Sequence, residues 1–274
     1  MQSSRQMRNG MQKPAQATPP VNGRSADFRP LYGSLPSIDA LRLTPDLTDR
    51  LIVLSRRERT TVHGALCAAL VLAGSEVSSD WRYAPVQILS PFNLREQIGI
   101  GEDCGLFVWA GAISVEPHGR ADFWEMARAA KSSLTSQQSL EDVALEMATL
   151  GAALAPNIDA HGASQILARA FPCQLLLTNL GNLPCQFDCG DLRLKALWGP
   201  AVFMGFEGEQ TVGVATTNGS LCLLHSSFTP LPSLLQRTER ILRSVCEAEP
   251  IEQALLKKMP LTMIECGDRY RIQG

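Results

Sequence analysis

Val212-Gly-Val-Ala-Thr-Thr-Asn-Gly-Ser-Leu-Cys-Leu-Leu-His-Ser226 decides the architecture. Two runs of strand-forming residues flank Asn218-Gly219, the pair that supplies the two positive φ angles of a type I′ turn, so the stretch predicts a tight antiparallel hairpin. Downstream, Ser233-Leu-Leu-Gln236 has the spacing of a capping box, and Leu234, Leu235, Ile241, Leu242 and Val245 form one helical stripe that would pack on the sheet. Upstream, Leu192 to Trp198 alternates apolar and basic residues at period two, which predicts a strand with one wet face, and Cys173 to Thr178 reads as an apolar strand after a helical piece around Ser164 to Ala170.

Further toward the N-terminus, Thr44-Pro45-Asp46 supplies a cap, a proline at the first helical position and an acid in the first turn, with Leu47, Leu51 and Leu54 following on one face. Thr60 or Thr61 caps a second helix, Val62 to Ala73, apolar nearly all round and ended by Gly74, so it belongs inside the fold. Pro85 to Leu89 and Leu106 to Val115 read as buried strands, and Asp122-Phe-Trp-Glu125 and Ser139-Leu-Glu-Asp142 each open a helix. Strands and helices thus alternate in an α/β (α+β) pattern, a mixed sheet covered by helices, with no internal repeat.

Charge narrows the function classes. The 274 residues carry 25 basic and 27 acidic side chains, and such a balance lacks the basic field that gives nucleic-acid and anionic-membrane binders their affinity. No nucleic-acid partner is expected, and no membrane span, because the longest stretch without formal charge, Gln210 to Gln236, contains Asn218-Gly219, Pro230 and Pro232. The 8 cysteines are scattered through apolar runs without a secretory leader, which suits free thiols in a reducing, cytoplasmic setting. Residues 1–36 are rich in Pro, Ser and Gln and poor in apolar pattern, so they are expected to form a disordered tail. Their early arginines give the composition of an organelle transit peptide, without its amphipathic face. Residues 251–274 are taken as a C-terminal extension beyond a lobe spanning 37–250.

The residues alone recommend no catalytic group and no metal. There is no G-x-S-x-G elbow for a serine nucleophile. Gly99-Ile-Gly101-Glu-Asp-Cys-Gly105 has the wrong spacing for a dinucleotide fingerprint and reads as a turn. Cys185 with Cys189, and His63 with Cys67, fall short of four zinc ligands. His118 and His161 sit beside glycines in turn-like contexts, and His63 stands at a helix start. His225 alternates with Leu223 along a strand, where a structural role outweighs one in a cleft.

Thr60-Thr-Val-His-Gly-Ala-Leu-Cys-Ala-Ala-Leu70, Pro91-Phe-Asn-Leu-Arg95, Thr178-Asn-Leu-Gly181 and the terminal hairpin and helix occur in a specific order. That order resembles the C-terminal half of the condensation-domain superfamily of acyltransferases, most closely the alcohol acetyltransferase and phthiocerol dimycocerosyl transferase type, over about residues 38–248. The resemblance implies one lobe of a two-lobed chloramphenicol-acetyltransferase-like fold, with a tunnel between lobes for acyl donor and acceptor. It also implies a general base on the second histidine of an H-H-x-x-x-D-G motif in the other lobe; this sequence has no His-His pair. Asn93 and Arg95 follow a strand end and could hold a carboxylate or a carrier phosphate, although tying a loop to the sheet is the better-supported role. Thr178 and Asn179 would line the tunnel floor.

The functional expectation is therefore a C-terminal acyltransferase lobe, acyl-CoA or an acyl-carrier thioester to alcohol or amine, truncated and inactive alone. No cofactor is implied beyond that thioester substrate. A separate N-terminal lobe that docks on this one, making a split enzyme, and a binding or scaffold module that keeps the lobe for its cleft are the alternatives. A lone lobe would also expose its partner-facing surface and self-associate.

Overall fold

The Thr44 side chain accepts the Leu47 N–H at 3.3 Å, and Pro45 holds the first helical position, so the first long helix begins where the sequence sets its cap. The computed structural model describes residues 35–101, 103–117, 123–154, 157–171, 173–183 and 188–248. The expected tail over residues 1–36, apart from Leu35 and Pro36, and the extension over 251–274 lie outside the described residues, as do Asp122, His118 and Cys185. In chain order the elements are β1 (Ser37–Arg42), α1 (Pro45–Arg57), α2 (Val62–Ser75), α3 (Ser79–Tyr83), β2 (Val86–Asn93), α4 (Arg95–Ile98), β3 (Val108–Val115), α5 (Phe123–Thr135), α6 (Leu140–Ala153), α7 (Ala160–Ala170), β4 (Leu175–Asn182), β5 (Asp188–Cys189), β6 (Leu192–Arg193), β7 (Gln210–Thr217), β8 (Ser220–Ser227) and α8 (Leu234–Ala248).

Six strands form one mixed sheet in the order β1-β8-β7-β4-β2-β3. β2, β4 and β7 run parallel, while β3, β8 and β1 pair antiparallel to their neighbours. The β7–β8 hairpin turns as the sequence predicts, with Asn218 at φ 48° and Gly219 at φ 71°. Alternation along the strands sends Ile88, Ile113, Leu175, Leu177, Val212, Val214, Leu221 and Leu223 to one face, where they form the core with α1, α2, α5 and α8. α2 is the centre of that layer, buried from Gly64 to Val71 as its all-round apolarity requires.

Of the two expected candidates, Thr61 caps α2, and the Thr60 hydroxyl instead donates to the Ala127 carbonyl at 2.7 Å, tying α2 to α5. Other details depart from the sequence reading. Gly74 does not end α2. It lies inside the helix because the Trp81 ring packs against it, and a Cβ there would fall 2.1 Å from Trp81 Cε3. Ser139 does cap α6, accepting from the Asp142 N–H. Ser233 takes φ 53° rather than the extended geometry of a capping box. β1 and α3 were not anticipated, and α7 begins at Ala160, so His161 lies in a helix rather than a turn.

The largest correction concerns Leu192 to Trp198. It contributes two residues to a small ladder with β5, and the rest forms no strand of the sheet. Its backbone is instead held by side chains of the hairpin: Asn218 Nδ2 donates to the Leu194 and Lys195 carbonyls at 2.8 and 3.1 Å, and the Leu197 N–H donates to Thr217 Oγ1 at 3.2 Å. The alternating pattern is thus that of an extended surface segment. It leads into a strap, residues 197–206, that crosses the non-helical face of β7 and β8. Gly199 and Gly213 approach so closely that a Cβ on either would sit 2.1 Å from backbone. Ser226 Oγ donates to the Val202 carbonyl at 3.0 Å. At the far end the buried Glu209 carboxylate accepts from three successive backbone N–H groups, Met204 at 2.9 and 3.1 Å, Gly205 at 3.1 Å and Phe206 at 3.3 Å.

Candidate functional site

The carboxyl ends of the parallel strands β2, β4 and β7 share one edge of the sheet, the place where open α/β sheets hold ligands. The ladder between β2 and β4 covers just two residue pairs, Ile88↔Leu175 and Leu89↔Leu176. It is extended on the opposite side by the Gln174 side chain, whose Oε1 accepts the Gln87 N–H at 2.6 Å, and by the Gln174 N–H bonding the Gln87 carbonyl at 3.0 Å. Beyond Leu89 and Leu176 the strands have no further paired residues, although β2 continues its pairing with β3 to Asn93 and β4 its pairing with β7 to Asn179 and, past a register shift, at Asn182. The sheet therefore splits toward its carboxyl edge, with Asn93 on one lip and Thr178 and Asn179 on the other.

Each sequence-singled residue has a defined setting at this split. Asn93 ends β2, and its Oδ1 accepts the Arg95 N–H at 3.1 Å, an Asx turn that opens α4. Arg95 folds the following loop around itself: Nη1 donates to the Gly101 and Asp103 carbonyls at 3.1 and 2.7 Å, and Nη2 donates to the Gly105 carbonyl at 3.1 Å. Its guanidinium also lies 4.8 Å over the Phe107 ring. Gly99, at φ 68°, makes the turn. Thr178 is half-buried, opposite Gly213 in register, and so projects from the face away from the helices. Asn179 Oδ1 accepts the Gly181 N–H at 2.9 Å, and Gly181, at φ 70°, carries the register shift between Asn179 and Asn182.

Each described histidine is held by a side-chain hydrogen bond, and His63 is the one beside the split. His225 pairs with Val212 in register and faces the helical layer, where it is 3% exposed and its Nε2 bonds Gln210 Oε1 at 2.9 Å. Burial holds its pKa down at about 4, against a smaller upward pull from Asp39. His63 Nε2 bonds the buried Ser90 Oγ at 2.9 Å, and burial likewise lowers it to about 4. Both imidazoles are neutral at pH 7. His161, exposed on α7, bonds Gln165. The Cys67 thiol is buried in α2 and pushed up to about 12. Among the described residues no group of three or more His, Cys, Asp or Glu could hold a metal ion, and no helix is long and apolar enough to cross a membrane.

Two features of the site had no readable sequence signal, the split itself and the Glu209 anchor of the strap; a lone acid before a strand is too common to mark. With this geometry in place the comparisons with known proteins become informative. Residues 33–196 match the family model described as phthiocerol/phthiodiolone dimycocerosyl transferase C-terminus. The chain belongs to that family. No curated protein matches it in sequence. Among solved structures it is similar to a wax ester synthase/diacylglycerol acyltransferase from Marinobacter aquaeolei VT8, with TM-score 0.54 and 13% identity over 78% of this chain and 49% of that one. It is also similar to a condensation domain of the enacyloxin polyketide synthase, with TM-score 0.53 and 13% identity over 93% of this chain and 46% of that one. The cyclization-docking bidomain of EpoB from Sorangium cellulosum gives TM-score 0.52 and 17% identity over 80% and 43% of the two chains. These establish a condensation-type fold, and the C-terminal family lobe spans about half the length of the structures it matches.

Proposed function

We propose that this lobe serves an acyltransferase that moves an acyl group from a thioester, acyl-CoA or a carrier-bound acyl chain, to an alcohol or amine. The observation that carries the reading is the split between β2 and β4 at the carboxyl edge, in a chain of this family. In the reaction the acceptor oxygen or nitrogen attacks the thioester carbonyl, the C–S bond breaks, and the proton leaves the acceptor for a base and reaches the departing thiol. Thr178 and Asn179 form the floor of the substrate path, and Asn93 with the Arg95-folded loop forms its second lip.

The base comes from outside the described lobe. His225 is engaged with Gln210 and His161 stands on α7, while His63, beside the start of the split, has its Nε2 bonded to Ser90 Oγ with no acid among its hydrogen-bond partners in the described residues. A positioned base is worth roughly 10²- to 10⁴-fold, and confinement of the reactants adds to that. The lobe alone is accordingly inert. The test is product formation from acyl-CoA with a panel of alcohols and amines, by the purified chain and by the chain co-expressed with an H-H-x-x-x-D-G lobe. Transfer in the second case, reduced at least tenfold by Thr178→Val, is the expected outcome. Turnover by the chain alone that disappears in His225→Ala would sink the reading.

A further inference from the structure

The two margins of the sheet are treated differently. At the β3 margin the Gln137 side chain takes up the Ala112 N–H and carbonyl, so a neighbouring strand cannot use them. No such plug meets the β1 margin among the described residues. The Leu43 N–H donates to the Leu221 carbonyl at 2.9 Å, and the same antiparallel register sets Leu41 against Leu223 and Asp39 against His225. Hydrogen-bonded pairs alternate along such a ladder, so Asp39 and Leu41 turn their N–H and carbonyl groups toward β8, and Ile38, Ala40 and Arg42 turn theirs away from it. Ser37, Ile38, Ala40 and Arg42 are exposed, Ile38 at 56%. Between Ser37 and Arg42 there is no lysine, no proline and no bulge, the usual devices that blunt an edge. The one acid, Asp39, lies on the helical side and accepts from Gln236 Nε2 at 2.9 Å.

We infer that β1 is the pairing edge for a second copy of this chain, with β1 antiparallel to the partner's β1 across a two-fold axis that passes through the sheet at Ala40. The inference stands apart from the acyl-transfer reading, since this margin lies across β8, β7 and β4 from the split. Fit selects the occupant. With Ala40 opposite the partner's Ala40, and Ile38 opposite the partner's Arg42, every outward N–H and carbonyl of these residues finds a mate. On the face away from the helices the paired Ala40 methyl groups leave room at the axis, and each Arg42 stem can cover the other copy's Ile38. Sliding one step toward Pro36 sets Asp39 against the partner's Asp39 and calls for an N–H that proline lacks. Sliding the other way carries Ile38 beyond the end of the facing strand. The exposed face of α8, whose Gln236 reaches Asp39, carries Glu239, Arg240, Arg243 and Glu247. Its charges balance, so a copy brought to this margin meets no net repulsion.

The experiment uses the full chain, followed by sedimentation velocity over a range of concentrations and by amide exchange. Wild type is expected to form a dimer in which the Ala40 amide exchanges slowly. Ala40→Pro removes an N–H that β8 does not use, at a kind of edge site that tolerates proline, and should weaken dimerisation about tenfold or more with unchanged circular dichroism. Ala40→Lys keeps the N–H, sets two ammonium groups side by side at the axis and should weaken the dimer likewise, so the answer does not hang on how the proline folds. Mild oxidation should join Ala40→Cys chains through residue 40 well above the wild-type background from exposed Cys104, and Arg42→Cys chains, whose new thiols lie apart in this register, should stay at that background. A chain that is monomeric at every concentration, whether its Ala40 amide is free or protected by its own residues, would overturn the inference. So would wild-type dimerisation by either Ala40 variant that keeps its circular dichroism, or equal cross-linking at positions 40 and 42.

Discussion

The two faces of the six-stranded sheet are built on different terms. The helical face is sealed by large aliphatic side chains from β2, β4, β7 and β8 against α1, α2, α5 and α8, and even its histidines are kept neutral by burial. The opposite face uses small residues, Gly213, Ala215 and Ser226, under a strap held by hydrogen bonds and backbone contact, and beyond β7 it buries Leu176 and Leu89 but leaves Thr178, Pro91 and Ala110 half-buried toward the carboxyl edge. One face carries the stability of the lobe by apolar area. The other spends little on burial and keeps room at its edge, where the split between β2 and β4 lies.

Substitutions on the two faces should separate these roles. Leu223→Ala on the helical face, fully buried beside Val214, is expected to cost about 3 kcal/mol, read from the urea midpoint, by lost transfer energy plus a cavity. Gly213→Ala on the strap face should cost less, about 2 kcal/mol by overpacking, yet speed amide exchange over residues 199–204 far more than over α2. If both changes loosen α2 alike, the faces are not energetically distinct.

Acid provides the next test. The folded His225 has its pKa lowered from the ordinary 6.5 to about 4, so below pH 6.5 the unfolded chain takes a proton that the folded one refuses. Stability is full above that pH and falls as pH drops toward 4, by about 2 kcal/mol between pH 7 and 5 from this residue. Urea midpoints across that range check the slope, which should lessen but persist in His225→Gln, because His63 is lowered to the same value and titrates alongside it. The smallest effect is expected at Arg95→Lys, which loses the planar fork but keeps the charge. Global stability should change by under about 1 kcal/mol, while exchange of residues 96–107 rises. An unchanged loop would mean that the three carbonyl bonds contribute nothing to its order.

The sequence made the helical face legible and left the other face dark. Asn218-Gly219 forces its turn through backbone angles, and Thr44-Pro45 sets a helix start through an unpaired amide; both are local effects. The period-two pattern around Leu223 and His225 announces a strand without saying which side meets the helices, so the inward direction of His225 had to come from the packing of α8 and α1. The alternation from Leu192 to Trp198 misled for a related reason. An extended segment has the same period whether its backbone partners are strands or, as here, the Asn218 and Thr217 side chains. Asn93, Arg95, Thr178 and Asn179 were singled out as short motifs at strand ends. What places three of them on facing lips is the early end of the β2–β4 ladder, a matter of pairing between segments more than eighty residues apart.

At the β3 edge of the sheet, Gln137 acts as a length of counterfeit strand: its side-chain amide accepts the Ala112 N–H at 3.0 Å and donates to the Ala112 carbonyl at 2.9 Å. The groups with which another strand would pair at mid-edge are thereby consumed. Growth of a sheet into a filament needs two sticky margins, one to join and one to be joined. On the β3 margin any such joining strand must do without the Ala112 groups at its centre, which leaves β1 the more receptive margin among the described residues.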